Sequence, residues 1–446
     1  MMKCLIYLFM LNLMYLKLKN FKFNFISISL FLFCYFFLFL FNLNNYWMSI
    51  YGNLGVDKIS LILIYLTLWI FGLVFLVSMK SFLNNFYSFI LLMLNLVLFI
   101  CFSSMNLFLF YFFFEFSLIP TFFLIMGWGY QPERVKASLF MMFYTLFFSL
   151  PLLIFLFFLY NLYNSLNFFF LKNYFLNMMF FWFLIFFVLM LSAFLVKLPM
   201  FLFHNWLPKA HVEAPVSGSM ILAAIMLKLG GYGLYRFSIM YLLIFSDWMN
   251  FLMVLSIVGI FFLSVLCLRQ LDMKIIVAYS SVVHMGLMLL GIFSMKIWGY
   301  WGGVFLMLSH GLCSSGMFVM VNYFYLRTKS RNLLINKGMI YFFPSMMMFW
   351  FFLCANNMAA PISLNLLSEI MVISIIMNWS YLIILFLCVS IFFSACYNLY
   401  LFSYSFHGIY NLKLMKIYLN SVQEYLIMVL HLIPLNLFIF KINFLI

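Results

Sequence analysis

Charge is scarce in this chain. Only 7% of its 446 residues are Asp, Glu, Lys or Arg, and eight are acidic, against 69% hydrophobic. A soluble domain of this length needs far more polar surface, so a soluble enzyme or binding module is excluded. The apolar runs do not alternate. In hydrocarbon every backbone polar group must pair inside the protein, which leaves helices or closed barrels; unalternating runs select helices. Cys4, Cys34, Cys101, Cys267, Cys313, Cys354, Cys388 and Cys396 are scattered, and no CxxC occurs. That argues against a thiolate zinc site and an iron–sulfur cluster, and the thiols read as lipid- or core-facing. No span carries two widely spaced histidines, which argues against haem; the one close pair, His204 and His211, straddles a proline. Gly230, Gly231 and Gly233 follow no strand, so they are not a nucleotide-binding loop. The first 25 residues lack a small-residue cleavage site and do not read as a cleavable signal.

What is present is an all-α polytopic membrane protein with mean hydropathy +1.21. A helical crossing takes about 20 apolar residues. By that measure fourteen transmembrane spans are expected, at 4–16, 23–41, 59–79, 86–103, 106–126, 137–160, 178–208, 214–235, 248–268, 275–293, 298–326, 339–377, 380–404 and 423–441. Two are too long for one crossing. The first, 178–208, contains Pro199 and Pro208; the second, 339–377, is interrupted by Asn356, Asn357 and Pro361. Proline removes a helical hydrogen bond, so both read as broken helices. One break in each half points to two inverted five-helix repeats, 86–235 and 248–404. Helices within 1–85 and a last one within 405–446 complete a single membrane domain.

The net charge of +15 comes from single Lys and Arg residues at span ends, where they can snorkel; it is not a nucleic-acid signal. Fifteen of the 23 basic residues, Lys274 among them, fall in odd-numbered loops. Six, including Arg236, fall in even loops or at the termini, and Lys197 and Lys228 lie inside spans. The bias predicts odd loops on the cytoplasm-equivalent side and both termini opposite. The Phe-, Leu-, Met- and Asn-rich composition is that of an AT-rich genome, of which an organellar genome is one source.

Four ionisable residues lie deep in apolar runs: Glu115, Lys197, Lys228 and Glu369. A charge at mid-bilayer costs roughly 2.5–3.5 kcal/mol on insertion scales, so such groups usually face a protein interior or a wet path and carry function. Lys197 precedes Pro199, where freed carbonyls and water can enter. Burial opposes its charged form. A carboxylate at about 8 Å in an effective dielectric near 20 favours that form by roughly 2 kcal/mol. Two acids and two lysines so placed suggest a proton relay. Each also has a plainer reading: Glu115 as a tolerated neutral acid, Lys197 as a snorkelling lysine, Lys228 as a lysine tied to a carbonyl, Glu369 as a helix-terminal acid. His204, His284 and His310 lie in or beside spans and can bridge protons or serve as hydrogen-bonded core residues. His211 and Glu213 begin a helix, where an acid also caps.

The run Leu207-Pro208-Lys209-Ala210-His211-Val212-Glu213-Ala214-Pro215-Val216-Ser217-Gly218-Ser219, followed by Lys228-Leu229-Gly230-Gly231-Tyr232-Gly233, is highly specific. With Ala278-Tyr279-Ser280-Ser281-Val282-Val283-His284-Met285-Gly286 and Ser309-His310-Gly311, it resembles the signature of the antiporter-like, proton-conducting membrane subunits of respiratory complex I. The resemblance covers most of the chain and is weakest before about residue 85 and after about residue 405. It implies that Glu115 is the acid of the fifth span, Lys197 the lysine of the broken seventh, Lys228 the central connecting lysine and Glu369 the acid of the broken twelfth, with His284 and His310 bridging. It implies that no cofactor binds in this chain, and that NADH, FMN, iron–sulfur clusters and ubiquinone bind elsewhere in the complex. The implied partners are other membrane subunits, neighbouring antiporter-like subunits among them, and lipids. The implied location is the mitochondrial inner membrane, with both termini on the intermembrane-space side. A free-standing cation/proton antiporter would share the relay and the breaks, and a purely structural subunit is the third expectation.

Overall fold

The computed structural model describes residues 1–17, 22–41, 46–79, 85–168, 180–241, 246–409 and 420–441. The helices in chain order begin with α1 Met2–Lys17, α2 Lys22–Leu40, α3 Lys58–Ser78, α4 Asn85–Ser103, α5 Leu107–Phe116 and α6 Leu118–Trp128. Next come α7 Arg134–Tyr163, α8 Phe180–Lys197, α9 Trp206–Glu213, α10 Val216–Ile221 and α11 Leu227–Tyr241. The remainder are α12 Ser246–Arg269, α13 Met273–Phe293, α14 Ile297–Thr328, α15 Pro344–Asn357, α16 Leu364–Met377, α17 Tyr381–Phe406 and α18 Val422–Leu437. Eleven spans are long and apolar enough to cross a membrane; shorter apolar helices occupy Met2–Met14, Phe187–Lys197 and Leu364–Met377. Against the fourteen crossings expected, eleven helices of crossing length are found among the described residues.

One small departure from all-α is a hairpin of β1 Met48–Tyr51 and β2 Leu54–Val56, paired antiparallel. Gly52, at φ +57°, and Asn53 make its two-residue turn, which needs left-handed backbone.

The chain forms two compact units. The first holds Met1–Leu198 and Glu213–Ser246; the second holds Pro199–Val212 and Asp247–Phe444. In the first unit, α3 is buried almost all round, which marks it as a core helix. The side chains of Phe143, Phe147, Leu150 and Ile154 on α7 are exposed, as an apolar face turned to lipid would be. In the second unit, α14 is the buried centre and packs against α13, α15, α16 and α18.

Both expected breaks are present. Helix α8 stops at Lys197, and turns through residue 205 separate it from α9; Leu202 there has φ +85°. The second break, residues 358–363 between α15 and α16, holds Ala359 and Ile362 at φ +55° and +65°. Left-handed backbone at non-glycine residues is uncommon and tends to mark functional sites. A third irregularity has no proline in it: residues Leu222–Met226, between α10 and α11, form a π-helical turn.

Close approach of α11 to α8 requires glycine. A Cβ on Gly230 would lie 2.9 Å from Leu198 Cγ and 3.1 Å from its amide nitrogen. Gly230→Val should therefore cost about 1–3 kcal/mol by overpacking against backbone that cannot yield. Thermal denaturation of the assembled protein checks this, and an unchanged midpoint would contradict it.

Candidate functional site

In the first unit, the end of α8 delivers Lys197 against α5. Lys197 is 2% exposed; its Nζ donates to the Phe114 carbonyl at 2.9 Å and lies 3.2 Å from the centroid of the Phe114 ring. The carbonyl and the ring face both stabilise an ammonium. Glu115, the next residue along α5, is within electrostatic reach of Lys197, with Ser149 of α7 and Tyr111 also beside it. The structure thus brings Glu115 and Lys197 together but leaves the ion pair open, with the lysine held by the neighbouring carbonyl. Neither Glu115 oxygen meets a partner at hydrogen-bonding geometry.

Lys228 is 0% exposed, and its Nζ donates to the Ala223 carbonyl at 2.6 Å. Ala223 belongs to the π-helical turn, so the plainer expectation for Lys228, a lysine tied to a nearby carbonyl, describes one of its contacts. The two readings are compatible. A π turn misaligns carbonyls from their usual donors, and such turns recur at functional sites.

The second unit gathers the other charges. Glu369 lies in the second turn of α16, capped at Ser363, and is buried, so the helix-terminal, exposed alternative does not describe it. Its Oε1 is 3.5 Å from His284 Nδ1 of α13, and the His284 and His310 rings are 5.5 Å apart. Gly302 on α14 admits α16 closely: a Cβ there would lie 3.1 Å from Met371 Cβ and 3.3 Å from the Ser368 carbonyl. His204 stacks on Phe201 at 5.8 Å and sits 6.3 Å from the Tyr279 ring. His211 stacks on Phe318 at 4.7 Å.

Arg236 and Lys274, assigned to loops, are instead buried within helices. Arg236 lies inside α11, and its guanidinium makes two bonds to Asp57, at 2.6 and 2.5 Å. Trp47 and Tyr232 flank it at 4.4 and 4.6 Å. The signal for this was spacing: Lys228, Tyr232 and Arg236 recur every four residues, which places them on one helix face. Lys274, on α13, is also buried and donates to the Val212 carbonyl at 3.4 Å.

A family described as NADH:quinone oxidoreductase/Mrp antiporter, transmembrane, matches residues 104–394, and one described as NADH-ubiquinone oxidoreductase chain 4, amino terminus, matches residues 1–103. The NADH-ubiquinone oxidoreductase chain 4 of Ceratitis capitata is 49% identical over 403 residues, covering 89% of each chain. That of Aedes aegypti is 46% identical over 424 residues, covering 90% of each. The chain belongs to the NADH-ubiquinone oxidoreductase chain 4 family. The amino-terminal match reaches residue 1, where the motif resemblance is weakest. A chain in the structure described as respiratory complex I from Thermus thermophilus with bound NADH shares the fold, with TM-score 0.86 at 20% identity, over 97% of this chain and 94% of that one.

Proposed function

We propose that this chain, a proton-translocating membrane subunit of complex I, moves protons through Glu115, Lys197, Lys228, His204, His284, His310 and Glu369. The observation that carries this reading is Lys197: an ammonium buried at a helix break, poised between a carbonyl it already holds and a carboxylate it does not. Closing the Glu115–Lys197 pair stabilises both charged forms; opening it releases a proton toward the next group. Lys228 at the π turn then receives it. In the second unit the His310–His284–Glu369 chain carries it onward, with the imidazoles accepting on one nitrogen and donating from the other. The driving energy comes from NADH oxidation and quinone reduction, whose cofactors lie in other subunits. The halves 86–235 and 248–404 act as two inverted repeats, each built round its broken helix.

The setting is the mitochondrial inner membrane, crossed many times. Both termini face the intermembrane space, as the bias of basic residues toward odd loops supports. Neighbouring antiporter-like subunits and lipids cover the apolar outer faces.

Glu115→Gln tests the reading. Gln keeps the shape and removes the titrating charge. We expect proton uptake per NADH oxidised to fall at least severalfold in proteoliposomes of the intact complex, with the thermal midpoint little changed. A shifted midpoint with normal pumping would instead make Glu115 a structural residue.

A further inference from the structure

Next to Glu369, the second break carries a set of buried amides that the relay does not use. Asn356 and Asn357 end α15, Asn365 opens α16, and Asn398 and Tyr397 come from α17. Asn356 is 6% exposed, Asn357 and Asn365 are 1%, and Asn398 and Tyr397 are 0%. They are linked: Asn365 Nδ2 donates to the Asn356 carbonyl at 2.7 Å, and Asn357 Nδ2 donates to Asn398 Oδ1 at 2.8 Å. Asn398 Nδ2 in turn donates to the Ser394 carbonyl at 2.9 Å.

The cluster is only half satisfied. Asn356 Nδ2, Asn357 Oδ1, Asn365 Oδ1 and the Tyr397 hydroxyl are buried and meet no partner at hydrogen-bonding geometry. Tyr397 has the Asn398 amide as its neighbour and lies within electrostatic reach of Glu369. Each buried polar atom left unpaired costs about 1–3 kcal/mol, so four at one break are costly unless something polar joins them. The set contains both donors and acceptors and no charge. That is the chemistry of water, which typically makes about three hydrogen bonds to otherwise unsatisfied buried groups. An ion would demand a uniform set of ligands.

We propose that the second break is a built water site, framed by Asn356, Asn357, Asn365 and Asn398, through which Tyr397 exchanges protons with Glu369. The inference deepens the proposed relay and rests on it. In the step itself, the Glu369 carboxyl gives its proton to the bound water, the water passes one of its own to the phenol oxygen of Tyr397, and the phenol's own proton goes to a second water in the break, which leaves as hydronium. The first water and Tyr397 end as they began, and one positive charge has moved. The asparagines hold and orient the water and carry no proton. The proline-broken helix supplies the room, because irregular backbone at membrane depth is tolerated where it lines a wet cavity.

Two experiments on the intact complex decide this. Tyr397→Phe removes one oxygen and keeps the ring in its slot; we expect proton translocation to slow about a hundredfold or more, the scale of losing a proton-transfer group. Asn398→Leu should slow it comparably, while Asn398→Ser, still polar, should recover a substantial part; a merely structural asparagine would show no such recovery. Glu369→Gln is measured beside them. If it pumps normally, the relay reading fails. If it stops pumping while Tyr397→Phe and Asn398→Leu both pump normally, the relay stands and the water site is overturned. A density map that resolves ordered solvent should show water bonded to Asn357 Oδ1 or Asn365 Oδ1, and a dry break in such a map would also overturn the site.

Discussion

Changing Lys197 to Met ends proton pumping while the complex still assembles. Methionine fills nearly the same unbranched volume and has no charge. Lys197 is packed against the Phe114 ring and is almost wholly out of solvent, so a thioether is well suited to that place. What is lost is the only titrating end at that position. The Phe114 carbonyl loses one donor but keeps the Ser117 hydroxyl at 2.7 Å, so the cost is about 1 kcal/mol, which a membrane subunit held in a larger assembly can bear. Glu115 loses the cation within its electrostatic reach. The first unit then holds no titrating lysine for Glu115 to bias. The expected result is a near-complete loss of protons moved per NADH oxidised, measured in proteoliposomes, with normal subunit content on native gels. Normal pumping by Lys197→Met would remove Lys197 from the relay. A free-standing antiporter would behave differently again: the purified chain alone would exchange cations for protons, and a complex I subunit would not.

The membrane character and the two breaks were legible because single residues cause them. Pro199 and Pro361 cannot donate a helical hydrogen bond, and the chain leaves the helix at both places. The four buried charges were legible because no apolar span tolerates a charge without cause. The π turn beneath Lys228 was not legible. Leu222-Ala223-Ala224-Ile225-Met226 are ordinary helix formers, and the turn comes from how the chain registers between α10 and α11. Nor was the orientation of Lys197 toward the Phe114 carbonyl, since a contact across 83 residues is set by packing and leaves no local mark. Arg236 was misplaced for a more specific reason. A charge near the end of an apolar run reads as a loop residue unless its four-residue spacing from Lys228 and Tyr232 is followed, and its partner Asp57 lies 179 residues away in the chain.

Asp57→Asn is expected to be the most damaging single change outside the relay. Arg236 remains charged under all accessible conditions. With Asp57 neutral, its guanidinium stays buried among Trp47, Tyr232 and Phe168 with no counter-charge. Breaking a buried ion pair from one side typically costs about 3–5 kcal/mol, because the remaining charge is stranded. The opposite change, Arg236→Met, should cost less. The Asp57 carboxylate would keep the Ser60 amide, which donates to it at 3.1 Å as part of the capping box of α3, and it can also take up a proton. The double variant Asp57→Asn with Arg236→Met should recover most of the loss, since a neutral pair of similar volume strands nothing. Assembly and thermal midpoint of the complex give the ranking: Asp57→Asn lowest, then Arg236→Met, then the double variant near the parent. If Asp57→Asn assembled and melted like the parent, the pair would not be holding α3 to α11. Nor would it then fix the helix face that carries Lys228 two turns away, and the position of that lysine at the π turn would have to come from Gly230 and the close packing of α8 alone.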